Sequence, residues 1–221
     1  MSPLLLMSST KTAIELRGAL HIDQMQPQFA ATCAANSDGY FPVAGESAFW
    51  LEVCPGIVVN RLLDRALKSC DVTPGALITE RHYGTLEVHG PDQGQVIHAG
   101  ELMLEEAGVH LGDALAPQIL TDEVIRKVSP HQAMLLNRTR SGMLVLGDDA
   151  LYTLEVNPAV YVTLAANEAE KASPVRLVGL GVEGAVGRLR LAGGDAEIDE
   201  AVAAVRRTLE GITGRDHGGG R

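Results

Sequence analysis

The sequence contains little cysteine and lacks clustered basic residues and long apolar runs. Its three cysteines, Cys33, Cys54 and Cys70, form no CxxC pair, so they indicate buried free thiols and give no support for a zinc site. A net charge of −10 without a basic run argues against binding to nucleic acid. No segment approaches the roughly 18 consecutive apolar residues of a membrane span. We therefore predict a cytoplasmic protein that binds neither nucleic acid nor a membrane.

Motifs for catalysis and cofactor binding are also scarce. The sequence has no His-Glu-x-x-His and no Gly-x-Ser-x-Gly segment. Gly179, Gly181 and Gly184 spell GxGxxG, but the next residues alternate like a strand, whereas a dinucleotide-binding turn must open a helix. We predict no metal, no cofactor and no catalytic residue, although a triad assembled from distant positions stays open at this point.

The chain contains an internal repeat with an offset of 103 residues. The segment LEVCP at residues 51–55 recurs as LEVNP at residues 154–158. The same gapless register aligns identical residues along most of the chain, including Gly39 with Gly142, Lys68 with Lys171, Glu80 with Glu183 and Gly84 with Gly187. Chance gives only a few such pairs, so the chain is two copies of one unit.

Each copy shows the same order of predicted elements. A strand and a short helix lead to a second strand, a second helix, a pair of strands and a last helix, predicted to be capped by Asp92 or Asp195. In each strand pair the second strand alternates apolar and polar residues, which predicts a half-buried strand. The predicted boundaries are an extension at 1–11, repeat 1 at 12–108, a linker at 109–121, repeat 2 at 122–212 and a disordered tail at 213–221.

This arrangement resembles the bacterial microcompartment shell domain. The segments at residues 64–72 and 167–175 are similar to the helix end of that domain, and the leading strand and helix of each copy resemble its circularly permuted form. Residues 23–28, 79–84, 136–138 and 165–171 resemble the permuted tandem-domain shell proteins of carboxysomes and related metabolosomes. The resemblance implies an α/β fold, an α+β sandwich-like arrangement of two tandem, circularly permuted shell domains, in a protein that is not an enzyme.

The resemblance also implies partners. It points to a homotrimer whose six domains imitate a hexamer, alone or as two trimers stacked face to face, placed among other shell hexamers and pentamers. Lys68 and Lys171 would lie at the edges of the tile and contact neighbouring tiles. The alternative is a solvated lysine at a helix end, where the helix dipole favours positive charge.

The family's pore gate would be formed by Glu80 and Arg81 in repeat 1. The corresponding residues of repeat 2 are Glu183 and Gly184, so a trimer would carry three gate arginines. The pore would pass metabolites larger than those crossing single-domain hexamers. Two alternatives remain: Glu80 and Arg81 form an ordinary surface turn, or the chain is a duplicated α/β enzyme or small-molecule sensor with its ligand between the repeats.

Overall fold

The computed structural model describes residues 13–37 and 39–218, and it contains two α/β repeats in succession. The predicted extension at 1–11 and the last three residues of the predicted tail lie outside the described residues. Among the described residues, no helix is both long and apolar enough to cross a bilayer.

Within its described residues, repeat 1 contains four strands and three α-helices. They are β1 (Glu15–Ile22), α1 (Pro27–Asn36), β2 (Ser47–Cys54), α2 (Val59–Leu67), β3 (Thr73–Glu80), β4 (Tyr83–Gly90) and α3 (Gln93–Ala107). Repeat 2 has the same elements in the same order. They are β5 (Gln118–Ile125), α4 (Pro130–Asn137), β6 (Ala150–Asn157), α5 (Tyr161–Ala172), β7 (Arg176–Gly181), β8 (Gly187–Gly193) and α6 (Asp195–Glu210).

The two sheets have the same topology and the same irregularities. The strand orders are β1-β2-β4-β3 and β5-β6-β8-β7, with all neighbours antiparallel. The bulge between Leu16 and Gly18 recurs between Ile119 and Thr121, at the same offset as the sequence repeat. The predicted duplication and α/β fold are therefore confirmed in the positions of the bulges as well as in the elements.

In repeat 1, α2 and α3 pack on one face of the sheet, and in repeat 2 α5 and α6 pack on the equivalent face, whereas α1 contacts α5 and β7 of repeat 2. In repeat 1 the buried residues of α2, Val59, Leu62 and Ala66, contact a cluster that includes Leu86 and Val88 of β4. These residues recur at helical spacing along α2, which directs them to a single side of the helix. The equivalent helix of repeat 2, α5, is buried almost all round because repeat 1 covers its second side.

The expected half-burial of the second strand in each pair holds only for repeat 2. In β8, Arg188 is exposed and Arg190 half-buried between buried Gly187, Leu189 and Leu191. In β4, by contrast, Thr85 and Glu87 are also buried, because repeat 2 packs against this face. The prediction for β4 was wrong because its polar face is buried at a contact between the repeats, which alternation within a single strand cannot reveal.

Three predicted boundaries also differ from the structure. Strand β5 begins at Gln118, inside the predicted linker. The prediction missed this start because the strand contains several polar residues. The N-cap of α6 is Gly194, whose N–H donates to Glu197, and Asp195 is instead the first helical residue. In the predicted tail, residues up to 218 are described, and the Arg215 N–H donates to the Ala114 carbonyl at 2.7 Å.

Candidate pore turns at the junction of the repeats

The first candidate turn joins β3 to β4. Glu80 is the last residue of β3 and pairs with Tyr83, leaving Arg81 and His82 as the loop. Arg81 has a positive φ of 55°, and its side chain is 87% exposed. Its Nε lies 3.5 Å from Oε1 of Glu80. An exposed pair of this kind contributes about 0–1 kcal/mol, so the guanidinium can leave it at little cost.

The second candidate turn joins β7 to β8 and contains Glu183 and Gly184. Gly184 has φ +79°, so it adopts the left-handed conformation that Arg81 adopts in repeat 1. A Cβ added to Gly184 would lie 3.5 Å from Cγ of Glu80. The structure therefore brings the two predicted turns into contact within one chain.

Arg17 connects these turns and was missed by the sequence analysis. Its guanidinium carbon lies 4.0 Å above the ring of Tyr83, and its Nη2 donates to the carbonyl of Ala185 at 3.4 Å. Nε donates to Oε1 of Glu52 at 2.5 Å. The one available signal was a break in the repeat, because the residue aligned with Arg17 is Leu120.

Glu52 is the buried acceptor at the centre of the junction. Burial raises the pKa of its carboxyl, and the hydrogen bond and charge of Arg17 oppose that rise. Its Oε2 accepts the N–H of Val160 at 2.8 Å, so one carboxylate contacts both repeats. Val160 itself packs on Gly18, where an added Cβ would lie 2.5 Å from Val160 Cγ1. Glycine at position 18 permits this close approach.

The start of α1 is held by repeat 2. The N–H groups of Gln28 and Phe29 both donate to the carboxylate of Glu170, each at 2.8 Å. These donors have no partner inside the helix, so Glu170 caps α1 across the junction. The side chain of Gln28 continues the contact: its amide donates to the Val175 carbonyl and accepts the N–H of Leu177.

A cavity of about 300 Å³ lies between the repeats beside the turns. Trp50 and Glu87 contribute to its wall from repeat 1, and Val182 and Glu183 contribute from repeat 2. Glu87 is buried, which raises the pKa of its carboxyl, while a hydrogen bond from His89 opposes the rise. Burial lowers the pKa of His89, but the hydrogen bond and charge of Glu87 outweigh this, and the pKa is raised. The repeat-2 counterparts of this pair are Arg190 and Ala192.

The two predicted edge lysines lie at helix ends, apart from the turns. Lys68 is the C-cap of α2, and its Nζ lies 2.7 Å from Oδ2 of Asp64. Lys171 lies in the last turn of α5, with Nζ 3.6 Å from Oε1 of Glu168. Both side chains are exposed at equivalent positions of the two repeats. Their contact with neighbouring tiles remains a prediction.

Comparison with known proteins identifies the family. The family described as the CsoS1D N-terminal domain matches residues 16–113. The carboxysome shell protein CcmP of Synechococcus elongatus is 40% identical, over 94% of this chain and 98% of its own length. This chain belongs to the permuted tandem-domain microcompartment shell proteins. The carboxysome shell protein CsoS1D of Hydrogenovibrio crunogenus is also 40% identical, over 91% of this chain and 99% of its own.

Solved shell proteins have the same fold. The fused permuted hexameric shell protein of the RMM microcompartment is 38% identical with a TM-score of 0.86, covering 90% of this chain and 100% of its own. The double-ringed trimeric shell protein of the same microcompartment is 35% identical with a TM-score of 0.89, covering 92% of this chain and 100% of its own. The predicted fold and structural role in a microcompartment shell are thus confirmed, and the alternative of a duplicated enzyme or small-molecule sensor is set aside.

Proposed function

We propose that three copies of this shell protein close head to tail into a ring of six repeats around a gated pore. The observation that carries the proposal is the junction inside the chain. At that junction, one face of repeat 1 packs against a different face of repeat 2. Because the repeats are equivalent, repeat 1 also has the face that repeat 2 uses in the junction, and repeat 2 has the face that repeat 1 uses. Both of these further faces are open. The open face of repeat 2 would pack on the open face of repeat 1 in the next chain.

The open face of repeat 1 is apolar where the junction predicts contact. Ile57 is 67% exposed, whereas its counterpart Val160 is fully buried against Gly18 in the junction. Two more exposed residues, Leu67 and Leu77, occupy the positions equivalent to Glu170 and Leu180. Exposed apolar residues grouped on one face are typical of a surface that another protein covers.

The open face of repeat 2 is apolar in the same way. Leu120, Met134 and Leu135 are all exposed. Their counterparts in repeat 1 are Arg17, Ala31 and Thr32, on the strand and helix that pack against repeat 2. The two open faces therefore have the chemistry expected of halves of one interface.

Head-to-tail contacts of this kind close into a ring when the rotation between units permits it. Each chain holds two units of the same topology, so three chains supply six. The trimeric relative from the RMM microcompartment supports this number, and its double ring supports face-to-face stacking as a second state. Lys68 and Lys171 would then alternate around the outer edge, where neighbouring shell hexamers and pentamers would contact them.

The candidate turns would meet at the axis of the ring and form the gate. Glu80 and Arg81 alternate with Glu183 and Gly184, so the pore carries six carboxylates and three guanidinium groups. The exposed Arg81 side chain swings between Glu80 and solvent, which closes or opens the passage. Metabolites larger than those that cross a single-domain hexamer would pass through the open state.

The ring is tested by the mass of the purified protein in solution, measured by size exclusion with light scattering. We expect the mass of three chains, or of six for a stacked pair. A protein that stays monomeric at high concentration would contradict the ring.

The gate is tested with shells assembled from this protein and compatible hexamers and pentamers around a fluorescent reporter. The rate at which a bulky soluble quencher reaches the reporter measures permeability. We expect Arg81→Ala to raise this rate several-fold, because it removes the mobile cation. Arg206→Ala, on α6, serves as the control, and equal rates for both variants would contradict the gate.

A further inference from the structure

Arg17 occupies a special position in its strand. It lies in the bulge where the pairing of β1 with β2 shifts between Leu16 and Gly18. A bulge bends the strand locally and redirects the side chain. Here the redirected side chain enters the junction between the repeats, where Arg17 is only 6% exposed. An arginine with this burial needs several partners.

Two of its contacts reach the candidate pore turns. The guanidinium lies 4.0 Å above the ring of Tyr83, the residue that closes the first turn by pairing with Glu80. Nη2 donates to the carbonyl of Ala185, which directly follows Gly184 in the second turn. One rigid, planar group thus contacts both turns at once.

Two further contacts fix the guanidinium itself. Nε donates to Glu52 at 2.5 Å, and Nη2 donates to Oδ1 of Asn157 at 2.7 Å. Glu52 is held in turn by the N–H of Val160. Because the donors of arginine are fixed in one plane, these partners determine where the guanidinium presents its face to Tyr83.

We propose that Arg17 is a positioning residue that holds the two pore turns of one chain together as a single unit. The inference rests on the proposed function, which places these turns at the pore. Its counterpart Leu120 is exposed on the open face of repeat 2 and offers no hydrogen bond to the turns of a neighbouring chain. The gate would therefore move as three two-turn units, separated at the contacts between chains.

Hydrogen exchange followed by mass spectrometry tests this role on the purified, full-length protein. Arg17→Lys keeps the charge beside Glu52 but cannot contact Asn157 and Ala185 together. We expect exchange at residues 79–84 and 182–187 to accelerate about tenfold, with α6 unchanged. Arg206→Lys changes a similar pair with Asp122 at 2.6 Å, away from the turns, and should leave both turns as in the wild type.

The variant Tyr83→Leu tests the contact of Arg17 with the first turn separately from its contact with the second turn. It removes the ring beneath the guanidinium and leaves the bonds from Arg17 to Glu52, Asn157 and Ala185 in place. We expect faster exchange in the first turn and unchanged exchange in the second. This variant keeps the test decisive even if Arg17→Lys does not fold.

Unchanged hydrogen exchange at both turns in Arg17→Lys would overturn the positioning role, and so would an equal acceleration of exchange in α6. So would an unaltered first turn in Tyr83→Leu. The mass of each sample is measured in parallel. A monomeric wild type with turns that loosen as expected would overturn the ring and leave the role of Arg17 intact. A trimer with unaffected turns would overturn only the role of Arg17.

Discussion

The junction inside the chain and the open faces at its far sides use equivalent positions with different chemistry. Inside the chain, the buried contacts include charged groups: Arg17 pairs with Glu52, and Glu170 caps α1. On the open faces the counterparts of Arg17 and Glu170 are Leu120 and Leu67, both exposed and apolar. We call the junction inside the chain, where charged contacts join an apolar core that spans both repeats, the polar seam, and the proposed contact between the open faces the apolar seam.

The difference has a physical reason. The two repeats of one chain are tethered, so their association is intramolecular and loses little translational entropy. A tethered junction can bury charged groups whose desolvation nearly cancels their attraction. Separate chains must also offset the entropy of association, and burial of apolar area supplies that free energy most directly.

Breaking the apolar seam should have the largest effect. Ile57→Asp places a carboxylate where the counterpart Val160 is fully buried. We expect the trimer to dissociate to monomers, because a buried unpaired charge costs several kcal/mol. Light scattering after size exclusion measures the change.

The control for this variant is Ile97→Asp. Ile97 is an exposed residue of α3, outside both open faces, and the same substitution there should leave the trimer intact. Dissociation by both variants would show that the effect is not specific to the seam.

Breaking the polar seam should have a smaller effect, on stability. Glu170→Leu imports the residue found at position 67 and removes the carboxylate that caps α1. We expect the free energy of unfolding to fall by about 1–2 kcal/mol. Urea denaturation of the monomeric Ile57→Asp background measures it without a contribution from assembly.

Glu168→Leu is the matched control for the cap. Glu168 lies two residues away on α5, where its Oε1 lies 3.6 Å from Nζ of Lys171 and accepts a 3.4 Å hydrogen bond from Nδ2 of Asn167. Its loss should change stability by less than about 1 kcal/mol. Equal losses from both substitutions would argue against a cap across the junction.

Giving the two turns the same residue tests the role of the arginines in the proposed pore. Gly184→Arg gives repeat 2 the residue of repeat 1 and raises the number of arginines in the proposed pore from three to six. A side chain at φ +79° should lower stability by about 1 kcal/mol, as Arg81 already tolerates this conformation. We expect slower entry of the quencher into reporter-loaded shells, and unchanged entry would speak against a role of the arginines.

The smallest expected effect is a dependence of stability on pH. It comes from the Glu87–His89 pair, which has no counterpart in repeat 2. The folded state raises the pKa of His89 above its usual 6.5, so the stabilisation is fully present below that value and is lost as pH rises through the folded pKa. The raised pKa of Glu87 has the same sign, since folding favours its protonated form. Glu46 adds negative charge near His89 and supports its protonated form.

We expect the contribution of the Glu87–His89 pair to the stability of the wild type to decline from weakly acidic to weakly alkaline pH, whereas the lowered pKa of His21 contributes in the opposite direction. His89→Gln retains a hydrogen-bond donor for Glu87 but does not titrate, so its decline over the same range should be shallower. Thermal unfolding at a series of pH values measures both slopes, and identical slopes would remove His89 as the cause.

The duplication, the element order and the positions of the turns could be predicted from the sequence, because these features depend on periodicity within each copy. The roles of Arg17 and Glu170 could not be predicted, because their partners across the junction, Asn157 and Gln28, lie 140 and 142 residues away in the sequence and are brought close only by folding. The same cause explains β4: Thr85 and Glu87 look solvent-facing in the sequence but are buried by the other repeat.

The proposed alternation of Lys68 and Lys171 around the ring has a consequence for the geometry of the shell facet. Lys68 is held close to Asp64, whereas Lys171 lies farther from Glu168, so successive sides of the proposed ring are chemically distinct. A ring of identical domains looks the same after each step of rotation within a hexagonal layer. A ring with alternating sides has two distinguishable orientations at every lattice point. The orientation of each tile can therefore depend on the orientations of its neighbours.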